Sequence, residues 1–279
     1  MIFSIDAIAA ACQDARIIVP AKPGVKATGI SWDSRSIHPG DLYISIPGER
    51  VDGNDYVSAA VQAGAACALM TRMPSQSEKK CAQEKGAGII LCHDYSSAIT
   101  DLARTWRGQL SGCVIGITGS SGKTTTKNLV AAVLAKASSV VSTLGNQNNE
   151  LGVPATLLRA HKDTQAVVVE MGMRGLGQIA SMCAYVRPQM SLITNVGTSH
   201  IELLGSRENI ARAKSEIFAA LPDTGTAFLN ASGEFSRKIF DATIEPRHLD
   251  CIWFDGSGED PHHTVAGVSA SIYAREITF

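Results

Sequence analysis

The chain has 279 residues, of which 18% are charged and 5% aromatic, and its formal net charge is −1. That length accommodates two domains of ordinary size. The near-neutral balance gives no support to a broad basic surface of the kind that holds nucleic acid, and the apolar runs are too short and too often broken by Gly, Pro or charge to form a membrane span.

The first fifteen residues, MIFSIDAIAAACQDA, lack a basic leader and a small-residue cleavage site, so they read as a first helix and imply a cytoplasmic location. Seven cysteines are scattered at 12, 67, 81, 92, 113, 183 and 251 with no CxxC pair. Several sit in apolar runs where Cys acts as a small hydrophobe, so we expect reduced thiols and neither a disulfide framework nor a zinc site.

Ser4 is placed to cap a helix over 5–13, and short strands are expected at 27–31, 41–46, 66–70 and 87–91. A helix over DYVSAAVQAG lies between two of these strands, and another runs over about 95–108. Residues 1–110 thus read as a small α/β domain with no nucleotide loop of its own. From 113 onward strands are expected at 113–118, 166–171, 190–196, 225–229 and 251–254, helices near 123–136, 174–184 and 207–221, and a shorter strand at 139–143. AVVVEM and MSLITNV are continuous apolar runs, as buried parallel strands are, and ligands gather beyond the carboxyl ends of such strands. The last residues, YAREITF, alternate with period two and no turn or closing helix follows; we read residues 111–279 as a domain cut short rather than one ending in a genuine edge strand.

The most informative stretch is GITGSSGKTT, Gly116 to Thr125, which follows the apolar run CVI and leads into KNLVAAVLA. This is a strand, a phosphate-binding loop and a helix. Glycines let the backbone wrap an anion, successive N–H groups point inward, and the helix offers its positive end. Gly119, Ser120, Ser121, Gly122, Lys123, Thr124 and Thr125 form the candidate nucleotide loop, with Lys123 neutralising phosphate charge and Thr124 placing a hydroxyl on Mg²⁺. The spacing departs from the usual P-loop, because the expected first glycine falls on Ile117 and glycines stand at 116 and 119. That argues against ordinary kinases and small GTPases without touching the phosphate-cradling physics.

Three further residues lie near or beyond strand ends or on the following helix. Glu170 either completes a Mg²⁺ shell or makes a polar strand end. His200, in NVGTSH, is either a loop histidine or a group for a second metal or a phosphate oxygen. Lys214 falls on the apolar stripe of Ile210, Ile217, Phe218 and Leu221, so it faces the core. It either snorkels outward along its stem or is buried with a lowered pKa, and a neutral amine can then add CO₂ to become an anionic carbamate.

TGSSGKTT, TLGNQNNELGVPATLL at 143–158, VVVEMGMRGLGQI at 167–179, NVGTSHIELLGS at 195–206 and AKSEIF at 213–218 together resemble the Mur ligase family, as does GISWDSRSIHPGDLYISIPGERVDGNDYVSAAVQAGA in the first domain. The resemblance implies an N-terminal domain for a UDP-MurNAc substrate, then a P-loop ATPase domain with a mostly parallel sheet. It implies ATP-dependent amide-bond formation through an acyl phosphate, joining D-alanyl-D-alanine to UDP-N-acetylmuramoyl-tripeptide in a monomeric enzyme. Alternatives are the related ligase that adds a diamino acid or lysine to the dipeptide, and a non-catalytic nucleotide-binding scaffold. Carried over, Lys123 and Thr124 meet the ATP phosphates and a first Mg²⁺, Glu170 meets metal, His200 supports a second Mg²⁺, and Lys214 is the carbamylated lysine. Ser34 and Arg35 resemble residues that hold the UDP part, and Asn148 and Asn149 resemble its contacts in the central domain.

There are departures. Asn230-Ala231-Ser232 stands where relatives usually show Asn-Ala-Asp, and GNDY replaces Gly-His-Asp-Phe. A Tyr-Asn-Ala-Asn-Pro segment and a third, Rossmann-like domain are missing, so we expect these 279 residues by themselves not to ligate.

Overall fold

The computed structural model describes residues 1–48, 50–256 and 264–273. It separates into two compact units, one of Met1–Leu110 with Leu157–Lys162 and the other of Ser111–Thr156 with Asp163–Phe279.

In the first unit, β1 (Phe3–Ser4) leads into α1 (Ile5–Ala11), where the Ser4 hydroxyl accepts from the Ala7 amide at 3.2 Å. The helix stops two residues earlier than the sequence suggests, because the backbone turns extended at Cys12 and Asp14 takes a φ of 59°. There follow β2 (Arg16–Val19), β3 (Lys26–Ala27), β4 (Gly29–Ser31), β5 (Asp41–Ile44), α2 (Val57–Gln62), β6 (Cys67–Met70), α3 (Gln76–Lys85), β7 (Gly88–Leu91) and α4 (Tyr95–Arg107). The single strand expected over 27–31 is two strands. Lys26–Ala27 pairs antiparallel with β1, and Gly29–Ser31 pairs parallel with β5 in another sheet. That sheet has the order β2-β7-β6-β5-β4, parallel except for β2. Tyr43, Val57, Val61, Met70, Ala82 and Ile89 close over it in one apolar cluster.

The second unit contains β8 (Cys113–Thr118), α5 (Lys123–Leu134), β9 (Val140–Ser142), α6 (Gly152–Arg159, whose last residues group with the first unit), β10 (Ala166–Glu170), α7 (Gln178–Val186), β11 (Met190–Ile193), α8 (Ile201–Leu204), α9 (Arg207–Ala219), β12 (Thr226–Asn230), α10 (Ser236–Ile239), β13 (Asp250–Asp255) and β14 (Ile272–Tyr273). The strands form one seven-stranded parallel sheet in the order β14-β13-β12-β11-β8-β10-β9. The α7 helix begins at Gln178 rather than at 174, since Gly175 and Gly177 lie before it and Gly177 takes a φ of 82°. Ile272 and Tyr273 pair with β13, and the rest of YAREITF lies outside the described residues.

This topology positions the site. β8 is central, with β10 on one side and β11 on the other, so the chain crosses over β8 between them. The carboxyl ends of these three strands bound the crevice where an open α/β sheet takes its ligand.

Candidate functional site

Glu170 lies opposite Ile117 in the β10–β8 register, and Ile193 opposite Thr118 in the β11–β8 register. The loop leaving β8 is therefore flanked by Glu170 on one side and by Thr194–His200 on the other.

The loop is held by the second flank. Asn195 accepts from the Ser120 amide with its carbonyl at 3.1 Å and from the Ser121 amide with its side-chain oxygen at 3.1 Å. Its Nδ2 donates to the Ser121 hydroxyl at 2.8 Å, while the Ser120 hydroxyl accepts from the Gly197 amide at 2.9 Å. Thr194 donates its hydroxyl to the Ser121 carbonyl at 2.6 Å. A side chain at Gly119, where φ is 154°, would collide with that same Thr194 hydroxyl. Two loop amides are thus spent on fixing the loop. Those of Gly122, Lys123 and Thr124 meet no acceptor among the described residues, and Gly122 caps α5 with a φ of 74° and no side-chain bond. An open row of amides at a helix start is an anion site by geometry and by dipole.

Lys123 folds back over the loop, its Nζ donating to the Gly119 carbonyl at 2.8 Å. Burial lowers its pKa, and the nearby Glu170 works in the opposite sense. Thr124 donates its hydroxyl to Oε1 of Glu170 at 3.1 Å, and Asn148 donates to that oxygen at 2.7 Å. Glu170 is fully buried and its Oε2 has no hydrogen-bond partner. An orphaned buried carboxylate oxygen beside a hydroxyl and an anion site fits a magnesium ion shared with phosphate, because that hard cation is usually held by one or two carboxylates plus phosphate oxygens. No group of three or more His, Cys, Asp or Glu side chains among the described residues converges to hold a metal by itself.

Lys214 does not snorkel. It lies on α9 with Ile210, Ile217 and Phe218, and it is 2% exposed. Burial, with a smaller push from the Lys123 ammonium, lowers its pKa to about 7. His200 takes a φ of 64° and heads α8, and its backbone carbonyl accepts from the amides of Leu203 and Leu204. Its imidazole is half-buried and makes no hydrogen bond to the described residues.

The remaining expected residues have local partners. The side-chain oxygen of Asn149 accepts from the Gly152 amide at 3.0 Å and so starts α6. Ser34 and Arg35 form a 3₁₀ turn after β4 in the first unit, capped by Asp33. The Arg35 guanidinium grips Asp33 through Nε at 2.9 Å and Nη2 at 2.7 Å, which lowers the Asp33 pKa to about 2. Asn54 of GNDY is buried, its Nδ2 donating to Asp52 and to the Thr71 hydroxyl and its Oδ1 accepting from the Thr71 amide. Ser232 pairs with the buried Asp255 at the end of β13.

Sequence reasoning missed Thr143, whose hydroxyl accepts from the Glu170 amide at 2.9 Å, and the grip of Asn195 on the loop. Asn195 stood at the start of NVGTSH, directly after an apolar strand, and that position was its signal. Thr143 had none, since its partner is 27 residues away.

Residues 117–269 match the model of the Mur ligase middle domain, and residues 26–107 match that of the Mur ligase family catalytic domain. The UDP-N-acetylmuramoyl-tripeptide–D-alanyl-D-alanine ligase of Synechocystis is 39% identical over 243 residues, covering 87% of this chain and 52% of the relative. That of Bacillus subtilis is 40% identical over 198 residues, covering 71% and 42%. Among solved structures, MurF from Acinetobacter baumannii aligns with a TM-score of 0.76 at 31% identity, over 93% of this chain and 55% of its own. MurF from Thermotoga maritima, solved in complex with ADP, aligns at 0.68 and 31%, over 84% and 52%. The chain spans about half the length of the curated relatives it matches. With the middle-domain model covering more than half of the chain, and covering the loop, Glu170 and Lys214 together, the protein belongs to the Mur ligase family.

Proposed function

We propose that the protein carrying this chain is an ATP-dependent ligase that joins D-alanyl-D-alanine to UDP-N-acetylmuramoyl-tripeptide in peptidoglycan precursor synthesis. The observation that carries this reading is the pairing of open loop amides with the buried, unpartnered Oε2 of Glu170. The names of the relatives supply the substrates.

A carboxylate is a poor electrophile, so the reaction first transfers the γ-phosphoryl group of ATP to the substrate's terminal carboxylate and releases ADP. The amine of the dipeptide then attacks the acyl phosphate, and phosphate leaves as the amide forms. The amides of Gly122 to Thr124 and the Lys123 ammonium hold the transferring phosphates, where preorganised charge acts most strongly. Thr124 and Glu170 would hold one magnesium ion, and His200 with Lys214 as a carbamate would hold a second. Held by these residues, magnesium would screen the repulsion between phosphate and carboxylate.

In this reading residues 1–110 bind the UDP-MurNAc substrate, with Ser34 and Arg35 on its nucleotide part. Residues 111–279 belong to the central ATP domain, where Asn148 and Asn149 contact the substrate. The enzyme acts as a cytoplasmic monomer. The test is phosphate release from ATP by the protein that carries this chain. Release should require both UDP-MurNAc-tripeptide and D-alanyl-D-alanine, and activity with UDP-MurNAc-dipeptide and a diamino acid instead would replace this reading with the related one.

A further inference from the structure

Lys127 lies one helical turn beyond Lys123 on α5 and is 1% exposed. Its Nζ donates to the carbonyls of Thr143 at 2.7 Å and Gly145 at 3.0 Å. Among the described residues no carboxylate lies within ion-pair distance of it. A buried ammonium without a counter-charge is costly, and two carbonyl dipoles accept two of its three hydrogens without cancelling its charge. A methionine would fill the same volume without that cost, so what distinguishes lysine here is what it holds.

What it holds is the segment from Thr143 to Asn149, between β9 and α6. That segment meets Glu170 and Gly172, two residues on, at three points. The Thr143 hydroxyl accepts from the Glu170 amide at 2.9 Å, Asn148 donates to Oε1 at 2.7 Å, and the Asn148 carbonyl accepts from the Gly172 amide at 2.8 Å. The chain bends between the first and the last of these contacts at Gly145, where φ is 49°, and Lys127 grips that bend. The helix that carries Thr124 at its start is thereby tied to the segment that orients the carboxylate opposite Thr124.

We propose that Lys127 is a positioning residue, holding the Thr143–Asn148 segment against α5 so that Glu170 and Thr124 present their oxygens together to a metal-bearing nucleotide. The proposal rests on the nucleotide reading of the loop. It assigns Lys127 no contact with nucleotide or metal.

The test uses amide hydrogen exchange and Mg²⁺ titration on the whole chain with ADP as probe. In the wild type, Mg²⁺ with ADP should protect residues 119–126 and 143–149 together. Lys127→Met should keep the protection at 119–126 and the metal-free affinity for ADP, lose it at 143–149, and require about tenfold more Mg²⁺ or beyond, as loss of an outer-shell partner does. A merely structural role would lower the melting temperature and leave the Mg²⁺ requirement where it was. Lys127→Gln, which keeps one donor, should fall between the two, and it decides by the same criteria if the methionine variant does not fold. Wild-type protection confined to 119–126, or an unchanged Mg²⁺ requirement in the folded variant, overturns the role of Lys127 and leaves the nucleotide site standing. No protection at either segment in the wild type overturns the nucleotide reading itself, and this proposal with it.

Discussion

Thr124 and Asn148, 24 positions apart in sequence, donate to one and the same oxygen of Glu170, at 3.1 and 2.7 Å, and leave the other oxygen buried and unpartnered. The carboxylate is therefore aimed by two donors on one oxygen, with the second reserved. Glu170→Gln keeps the shape and removes the charge. It should weaken Mg²⁺-dependent binding of ADP by about 10- to 100-fold, a typical range for perturbing a metal site, while changing metal-free binding little. Titrating Mg²⁺ at fixed ADP in the two proteins measures this, and equal Mg²⁺ requirements would remove Glu170 from the metal.

Gly119 combines a φ of 154° with a neighbour, Thr194, whose hydroxyl already occupies the space a Cβ would need. Gly119→Ala should cost about 1–3 kcal/mol through backbone strain and displacement of Thr194, and it should disturb the Asn195 contacts on the loop. A denaturation midpoint gives the first effect and ADP affinity the second. A variant as stable as wild type would mean that the loop accepts another path.

Burial holds the Lys214 pKa near 7. In the window between that value and the ordinary lysine range, the folded chain binds fewer protons here than the unfolded chain, so the stability contributed by this residue rises with pH across the window and is flat below it. The neutral amine that accepts CO₂ should accordingly appear around pH 7. A ¹³C carbamate resonance grown from labelled bicarbonate should rise through neutral pH and be absent in Lys214→Arg. A signal that appears only in the alkaline range would contradict the burial argument.

Buried Asn54 joins half-buried Asp52 and Thr71, accepting from the Thr71 amide at 3.1 Å and donating to Thr71 and Asp52 at 3.0 and 2.7 Å. Asn54→Ala removes the partner of the Thr71 amide and hydroxyl, while Asp52 keeps its bond from the backbone amide at position 54, and it should destabilise the chain by about 1–3 kcal/mol, read as a shift in the urea midpoint.

Most of the second sheet was legible because its strands are continuous apolar runs and its phosphate loop has a physical signature. The core-facing side of Lys214 was legible from helical spacing, since Ile210 and Ile217 fix the face it shares, but spacing did not decide between burial and snorkelling outward, which only the packing around α9 does. Other elements were hidden for identifiable reasons. α3, QSEKKCAQEK, buries only Glu78 and Ala82, so it carries no apolar stripe, and its signals are a Ser75–Glu78 capping box and a Gly86 terminus. β2 is four residues long and α6 has a proline in its first turn. The grip of Lys127 and the convergence on Glu170 join residues far apart in sequence, and no local pattern encodes such pairings.

In the proposed function the loop at Lys123 and the carboxylate of Glu170 hold a nucleotide and its metal between them. A crystal structure of the chain with Mg²⁺ and a non-hydrolysable ATP analogue tests it most directly. The terminal phosphates should lie on the amides of Gly122, Lys123 and Thr124, with a metal ion between the Thr124 hydroxyl and Oε2 of Glu170. A nucleotide bound elsewhere, or a metal that leaves Glu170 without a ligand, would contradict it.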